Sequence, residues 1–419
     1  MRKLIFGFII ILIILQNSFC SKSYNLLKTN PKRVYTGLEN FLDDYADDYG
    51  NKRAAVVTNH SGVDFYLQNN IKLFRENNIE IALILAPEHG LYGYQNDYSE
   101  ENYIVDDKLN AVVYNIHKLN SKKLRHLLKV ADFVIFDMQD MGMRCYTYIS
   151  VLKFLMDTLS GTNMELVVLD RPNPLGFLYA SGPFLEKKFY SKNISSFPVP
   201  LFYNMTIGEA ALYYNGEYTK NVNLHVIPME GYSRRMLFNN TMLPWVPPSP
   251  NLPTYISSII YSVVVLMEGI NISVGRGTTK PFEYIGAPWI EPVAFSKGLS
   301  ELNLKNFAFR PVYFEPTFSK YEKERCGGVQ IFYTGGSFNP VEVSFKIIQY
   351  IMYNYNQFRW DSYKNSYEID RLAGTDKFRK YISEKKNYQD FLSDIDSGIY
   401  LFLEKRKKYL IYPEDYLPL

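Results

Sequence analysis

Short apolar segments alternate with helix-like segments between residues 53 and 170, and this rhythm constrains the fold more than any other feature of the sequence. Four compact apolar runs are typical of buried strands: residues 53–58, 79–86, 131–137 and 165–170. Helical spacing fills the intervals between them, at residues 67–77, 121–130 and 147–160. Strands that are apolar on both faces and separated by helices form parallel sheets covered on both sides. The sequence therefore predicts an α/β domain with a Rossmann-like, doubly wound parallel sheet.

This rhythm ends after Ser181, where other patterns begin. Helical spacing at residues 204–215 includes Thr206 as a predicted N-cap, with Glu209 three residues later to complete a capping box. The following stretch, residues 244–253, contains too many prolines for a regular element. Because each proline fixes a φ angle, we interpret this stretch as a rigid, ordered loop.

A second domain is predicted after the proline-rich loop. Residues 327–333 have a strand-like pattern and residues 340–356 a helical one. A chain of 419 residues is also longer than one ordinary domain. We predict a Rossmann-like domain at residues 35–255 and a second, smaller α+β domain at the C-terminus, residues 256–419.

The N-terminus has the pattern of a secretory signal, which we assign to residues 1–21. A basic start is followed by an apolar run from Leu4 to Leu15 and then by small polar residues. The run is shorter than the about 20 residues that a membrane-spanning helix needs. Cys20 lies where a lipid-modified cysteine would follow the cleavage site. We expect an exported protein, periplasmic or extracellular, that contacts a membrane only if Cys20 carries a lipid.

Charge and motif content argue against several classes of function. A formal net charge of +3 gives no sign of the clustered cations that bind nucleic acid. The first strand is not followed by a Gly-x-Gly-x-x-Gly fingerprint, and the chain has no Walker-type loop, so we expect no nucleotide. A Gly-x-Ser-x-Gly elbow is also missing. We expect an enzyme that works without a cofactor.

Ionisable and polar residues cluster where the four predicted strands end. In open parallel sheets, ligands bind just beyond the carboxyl ends of the strands. Such a cluster at that edge predicts an active site. The residues concerned are Asn59, His60, Glu88, His89, Asp137, Asp140, Arg144, Tyr146, Asp170 and Asn173.

Two classes of chemistry suit these residues. One is glycoside hydrolysis, in which two carboxyl groups flank the bond that is cleaved. The other is metal-dependent hydrolysis, since the cluster is rich in residue types that bind divalent ions. Only five histidines occur in the chain and none has a His-Glu-x-x-His spacing, which weakens the second class. The ligands for such a metal would be His60, Glu88, His89, Asp137, Asp140 and Asp170.

Six segments together resemble the exo-acting β-N-acetylmuramidases. The resemblance runs in order from about Tyr35 to the C-terminus and implies a Rossmann-like catalytic domain, a smaller C-terminal domain and a cleft between them. It also implies removal of terminal N-acetylmuramic acid from the non-reducing end of peptidoglycan fragments. A non-catalytic protein that binds muropeptides is an alternative. The matching segments are Val57–Asp64, Pro87–Leu91, Phe136–Ile149, Leu169–Gly176, Leu243–Thr254 and Glu268–Glu283.

The resemblance places the family's catalytic glutamate on Glu88. We expect it to act as a general acid and base, which requires a suitably raised pKa. The second carboxyl group is left open: Glu268 and Glu283 lie in another strongly matching segment. By the strand-end argument its rivals are Asp137, Asp140 and Asp170.

An arginine is expected to recognise the lactyl carboxylate that distinguishes N-acetylmuramic acid from N-acetylglucosamine. A guanidinium fork suits bidentate binding of a carboxylate, and Arg276 and Arg144 are the candidates. The remaining strand-end residues are expected to contact the sugar: Asn59, His60, His89, Asp137, Asp140, Tyr146, Asp170 and Asn173.

Overall fold

The computed structural model describes residues 33–95, 102–192 and 194–414. The predicted signal, residues 1–21, and Cys20 lie outside these ranges. Within them, no helix has both the length and the apolar character needed to cross a membrane.

A seven-stranded sheet forms the centre of the first domain, in the order β3-β4-β2-β1-β5-β6-β9. All neighbouring pairs are parallel except β3 with β4. This parallel-dominated sheet confirms the predicted α/β class. Its strands are β1 (Arg53–Thr58), β2 (Glu80–Ala86), β3 (Tyr103–Asp106), β4 (Ala111–Asn115), β5 (Phe133–Asp137), β6 (Glu165–Leu169) and β9 (Asn223–Ile227); β7 (Ser181–Phe184) and β8 (Pro200–Phe202) form a separate ribbon.

Three strands of the central sheet were not expected from the sequence: β3, β4 and β9. Two of them, β3 and β9, lie at the edges of the sheet and are mostly exposed or only partly buried. An edge strand covered on fewer sides does not need a continuous apolar run. The pattern that reveals the buried inner strands is therefore absent from the outer ones.

Helices cover both faces of this sheet, and the sheet itself separates two apolar clusters, one on each face. The predicted capping box is present: Thr206 and Glu209 cap each other's backbone at the start of α6. The helices of this domain are α1 (Gly37–Asp44), α2 (Ala46–Tyr49), α3 (Asn70–Glu76), α4 (Ser121–Leu127), α5 (Thr147–Leu159) and α6 (Ile207–Tyr214).

The C-terminal half contains a smaller antiparallel sheet in the order β10-β12-β11. Its strands are β10 (Tyr284–Ala287), β11 (Phe307–Phe314) and β12 (Cys326–Tyr333), with a two-residue ribbon of β13 (Ser362–Tyr363) and β14 (Ser366–Tyr367). Its helices are α7 (Tyr255–Val264), α8 (Pro292–Glu301), α9 (Pro340–Asn354), α10 (Glu368–Ala373), α11 (Lys377–Ser383) and α12 (Tyr388–Arg406).

The two halves share one core. The larger apolar cluster contains Leu152 from α5 as well as Ile348 from α9. The end of α12 also returns to the first half, where Arg406 donates to the Tyr203 carbonyl at 3.2 Å. Since buried side chains of both halves pack together, the core itself does not mark where one domain ends. The boundary at residue 255 stays a prediction.

Candidate active site

A cavity of about 390 Å³ is lined by residues from both halves of the chain. The segment after β2 contributes Glu88 and His89, and the start of α5 contributes Tyr146 and Thr147. The second half contributes Glu268 and Arg276 from the segment between α7 and β10, and further residues from the segment after β11 and from α10. The cavity thus joins the carboxyl edge of the sheet to the second half of the chain.

Glu88 is presented by a tight turn that follows β2. The next two residues, His89 and Gly90, have φ angles of +71° and +73°. A left-handed conformation is costly for a non-glycine residue, by about 1–3 kcal/mol, so it persists only where contacts enforce it. The His89 ring supplies one such contact, because Nδ1 lies 2.7 Å from the Gln95 carbonyl oxygen. The turn is closed by the Gly90 amide, which donates to the Pro87 carbonyl at 3.1 Å.

The carboxyl group of Glu88 accepts a hydrogen bond from Thr147 Oγ1 at 2.8 Å. Thr147 is the first residue of α5, a helix of 13 residues. The N-terminus of a helix carries partial positive charge, which favours a nearby carboxylate in its ionised form. A hydroxyl donor stabilises the same form. These two contacts, the Thr147 hydroxyl and the start of α5, each favour the ionised form of the Glu88 carboxyl group.

Two tyrosines form the cavity wall close to the carboxyl groups. Tyr146 and Tyr261 have ring centroids 6.5 Å apart in an edge-to-face arrangement. Burial raises the pKa of both hydroxyls well above the usual range, and the nearby Glu88 contributes in the same direction. Both side chains thus stay neutral and offer a sugar ring an apolar surface with a polar tip.

Glu268 lies in a short 3-10 segment after α7 and also lines the cavity. Burial raises the pKa of its carboxyl group. The Arg276 guanidinium, 3.4 Å from Oε1, and the Lys320 ammonium act in the opposite direction without cancelling this effect. Glu268 therefore holds its proton to higher pH than an ordinary glutamate.

Arg276 enters the cavity from a loop that glycine makes possible. The flanking Gly275 and Gly277 have φ angles of +77° and +82°, in the region that glycine favours. A Cβ atom would also lie 2.8 Å from the Tyr284 carbonyl oxygen at position 275, and 2.6 Å from the Phe318 carbonyl oxygen at position 277. These contacts leave no room for a larger residue and fix Arg276 beside Glu268.

Several lining residues were not expected from the sequence. Lys320 Nζ donates to the Glu268 carbonyl at 2.7 Å, which places a cation beneath the segment that carries this glutamate. Arg371 and Glu368 line the cavity as an ion pair. They lie in a region of the chain with no distinctive motif, and only the folding of α10 against the segment containing Glu268 brings them to the site.

Asp137 and Asp140 follow β5 as predicted, but the structure places them outside the lining of the cavity. Asp137 accepts hydrogen bonds from Arg171 at 2.6 and 3.0 Å in a fully buried ion pair. Asp140 accepts from the Tyr203 hydroxyl, and burial raises its pKa to about 6. Both carboxyl groups are turned into the protein, which corrects the prediction that they contact substrate or complete the catalytic pair.

Asp170 is also directed away from the cavity. It accepts hydrogen bonds from the hydroxyls of Thr206 and Tyr412, each at 2.6 Å. Burial raises its pKa to about 7. Its position connects β6 to α6 and to the C-terminal tail, so its role in the structure is to hold these elements together.

The ligand cluster required by a metal-dependent hydrolase is not assembled. In the described ranges, no three His, Cys, Asp or Glu side chains come together in a group that could hold a metal ion. His60 instead places Nε2 at 2.6 Å from the Pro247 carbonyl oxygen. The residues predicted as metal ligands from the strand ends thus do not meet at one point, and contact different parts of the protein instead.

Two further predictions are corrected by burial. The Arg144 guanidinium is fully buried and donates to the carbonyl groups of Pro183 and Val199, each at 2.8 Å, so it cannot receive a lactyl carboxylate. Glu283 is 4% exposed, pairs with Lys280 at 3.1 Å and does not line the cavity. Arg276 and Glu268 remain as the candidates for these two roles.

The two strand-end asparagines are also structural. Asn59 donates to the Tyr148 hydroxyl at 2.6 Å, and Asn173 donates to the Met205 carbonyl at 2.9 Å. Both are buried, and neither lines the cavity. Of the residues predicted for the site, the cavity brings together Glu88, His89, Tyr146, Glu268 and Arg276.

Comparison with known proteins was made against family models, curated proteins and solved structures. Residues 54–256 match the model of the N-terminal part of the exo-β-N-acetylmuramidase NamZ, and residues 259–412 match that of its C-terminal part. The chain is 36% identical over 424 residues to the peptidoglycan β-N-acetylmuramidase NamZ of Bacillus subtilis strain 168, covering 98% of this chain and 100% of that protein.

Two crystal structures of DUF1343 family proteins from Bacteroides fragilis NCTC 9343 have the same fold. Their TM-scores are 0.80 and 0.70, at 29% and 27% identity, and each alignment covers 91% of this chain and 99% of the other. The family models and the full-length similarity agree with the resemblance seen in the sequence motifs. The chain therefore belongs to the NamZ family of exo-β-N-acetylmuramidases, which are glycosidases.

Proposed function

We propose that this protein hydrolyses the β-glycosidic bond of a terminal N-acetylmuramic acid at the non-reducing end of peptidoglycan-derived glycans. The observation that carries this proposal concerns two of the three carboxyl groups that line the cavity: Glu368 is paired with Arg371, whereas Glu88 and Glu268 lie in different electrostatic surroundings. A pair of carboxyl groups whose surroundings favour different protonation states is what glycosidases use for acid and base chemistry.

The surroundings indicate how the two groups divide the work. Glu268, with its raised pKa, is suited to protonate the departing glycosidic oxygen. Glu88, beside Thr147 and the N-terminus of α5, is suited to the charged role of stabilising or attacking the anomeric centre, or of activating water there. This division revises the sequence-based expectation that Glu88 supplies the proton.

The first prediction concerns substrates with different leaving groups. Glu268→Gln should lower kcat/KM for a β-linked N-acetylmuramyl-N-acetylglucosamine disaccharide by about 10²–10⁴-fold, the usual contribution of general acid catalysis. It should affect 4-nitrophenyl β-N-acetylmuramide far less, because nitrophenolate leaves without a proton. Glu88→Gln should lower turnover of both substrates to a similar extent. Steady-state kinetics with the two substrates measure this difference.

Controls for this prediction come from the same chain. Glu283→Gln, which changes a carboxylate outside the cavity, should retain turnover of both substrates. Wild-type activity on the disaccharide should also fall as pH rises through the raised pKa of Glu268, whereas wild-type activity on the aryl muramide should fall far less over the same range. Near-wild-type turnover of the aryl muramide by Glu88→Gln would refute the catalytic role of Glu88.

Arg276 is proposed to bind the lactyl carboxylate of the muramic acid ring. Its guanidinium lines the cavity, and the two flanking glycines fix the loop that carries it. A carboxylate placed there would pair with Arg276 in competition with Glu268. Binding of substrate would then further favour the protonated form of Glu268, since its main cationic neighbour would be shared.

The second prediction is a loss of discrimination in Arg276→Ala. The preference for aryl β-N-acetylmuramide over aryl β-N-acetylglucosaminide should fall by about 30-fold or more, because an unpaired buried carboxylate costs about 2–5 kcal/mol. Arg276→Lys should recover part of the preference, since it keeps the charge but loses the fork. Removing Arg276 also changes the surroundings of Glu268, but this change affects both substrates alike. It therefore cancels in the ratio of the two kcat/KM values. An equal loss on both substrates would contradict the assignment.

Export by the segment of residues 1–21 is also proposed, on the basis of its basic start and apolar run. The third prediction is that full-length chain expressed in a bacterium that exports proteins is shortened at its N-terminus and found outside the cytoplasm. Ile10→Asp, which interrupts the apolar run, should leave it unprocessed. Mass spectrometry of the protein from the cytoplasmic fraction and from the exported fraction identifies its first residue. A wild-type protein that begins at Met1 and stays in the cytoplasm would contradict export. If Cys20 carries a lipid, Cys20→Ser should release the protein from membranes.

A further inference from the structure

A second, more open space of about 720 Å³ adjoins the active-site cavity, and we refer to it as the groove. Asn251 lines both spaces, and Arg276 in the cavity is followed directly by Gly277 in the groove. The two spaces therefore share a wall built from the proline-rich loop and the glycine-flanked arginine loop. A molecule longer than one sugar can extend from one space into the other.

Aromatic rings and hydroxyl groups dominate the lining of the groove. Tyr284 and Phe314 are stacked, with ring centroids 5.5 Å apart and an angle of 28° between the rings. Tyr313 is 63% exposed, which is high for a large aromatic side chain. Thr278 and Thr317 add hydroxyl groups to the lining. Aromatic faces beside polar groups suit a sugar, whose C–H face packs on a ring while its hydroxyls form hydrogen bonds.

Asn251 provides a polar contact at the junction of the two spaces. It is only 6% exposed, and among the described residues its carboxamide forms no hydrogen bond, although its backbone amide donates to Ser249 Oγ at 3.2 Å. A carboxamide offers two donor hydrogens and one acceptor oxygen. Because Asn251 lines both spaces, its carboxamide is available to hydrogen-bond a ligand at their junction.

The loop that carries Asn251 is held firmly in place. Trp245 Nε1 donates to the Leu252 carbonyl at 3.1 Å, and the Tyr148 hydroxyl donates to the Pro248 carbonyl at 2.7 Å. Five prolines between residues 244 and 253 restrict the backbone further. The carboxamide is thus positioned before any ligand arrives, which lowers the entropic cost of binding.

We propose that the groove binds the sugars on the leaving-group side of the scissile bond, a β-linked chain of N-acetylated amino sugars. The inference rests on the proposed function, because an exo-acting enzyme encloses the terminal sugar and leaves space for the remaining chain. Asn251 contacts the first of these sugars, and the aromatic rings around Tyr313 contact those that follow. Among the described residues that line the groove, Glu315 is the one charged side chain, and the Arg325 guanidinium lies 5.4 Å from the centroid of the Tyr313 ring.

The test compares substrates of increasing length. Wild type, Tyr313→Ala and Asn251→Ala are assayed with 4-nitrophenyl β-N-acetylmuramide, with the peptide-free disaccharide and tetrasaccharide, and with the same two glycans carrying a stem peptide. Tyr313→Ala should lower the ratio of kcat/KM for the tetrasaccharide to that for the aryl muramide about threefold to tenfold, the range expected for one aromatic contact. Asn251→Ala should lower the same ratio already for the disaccharide. Tyr400→Ala, which removes a tyrosine of similar exposure (62%) on α12, should leave every ratio unchanged.

The possible results separate this proposal from the proposed function. Unchanged ratios in both groove variants, with wild type active on the aryl muramide, overturn the groove and leave the glycosidase intact. A loss that occurs only with substrates carrying a stem peptide overturns the sugar assignment in favour of a peptide. If wild type cleaves no muramide, the proposed function fails, and calorimetry with the tetrasaccharide decides the groove. Weaker binding to Tyr313→Ala than to Tyr400→Ala then supports the groove, and equal binding overturns it.

Discussion

The carboxyl groups buried at the carboxyl edge of the central sheet each need a charged or hydrogen-bonding partner, and the rest of the architecture depends on these partners. The Asp137–Arg171 ion pair joins the end of β5 to the segment after β6, with both side chains buried. Asp170 joins the neighbouring strand to α6 and to the C-terminal tail. Breaking a buried ion pair such as Asp137–Arg171 by removing one partner costs about 3–5 kcal/mol, so this contact fixes the end of β5 strongly. The loops that form the active site extend from this rigid edge.

The division of labour among polar residues follows from that constraint. Carboxyl groups directed into the protein hold elements together, whereas Glu88 is directed into the cavity by a turn with two left-handed residues. Across the cavity, Glu268 and Arg276 come from the other half of the chain, on a 3-10 segment and a glycine-flanked loop. Neither half contains a complete site. Buried side chains of both halves belong to one apolar core. This core holds the two walls of the cavity, and so the proposed pair Glu88 and Glu268, in a fixed relative position.

The sequence predicts the four central strands β1, β2, β5 and β6 well, because a strand covered on both faces must be apolar along its whole length. It missed β4, which lies inside the sheet but is only partly buried. It also locates Glu88, since a polar residue after such a strand lies at the edge where ligands bind. It could not separate Glu88 from Asp137, Asp140 and Asp170. The hydrogen-bonding partners of these aspartates are brought together only by the fold. For example, the Tyr412 hydroxyl that donates to Asp170 lies 242 residues away in the sequence. Glu268 and Arg276 were identified through family resemblance, because their local pattern indicates no buried site.

The most direct test of the central claim is a crystal structure of Glu88→Gln with the muramyl disaccharide bound. We expect the terminal sugar to occupy the cavity, with the anomeric carbon next to residue 88 and the lactyl carboxylate within hydrogen-bonding distance of Arg276. Glu268 should lie within hydrogen-bonding distance of the glycosidic oxygen, at roughly 2.6–3.2 Å. A disaccharide bound with its glycosidic oxygen out of reach of Glu268, or with its anomeric carbon away from residue 88, would contradict the proposed pair.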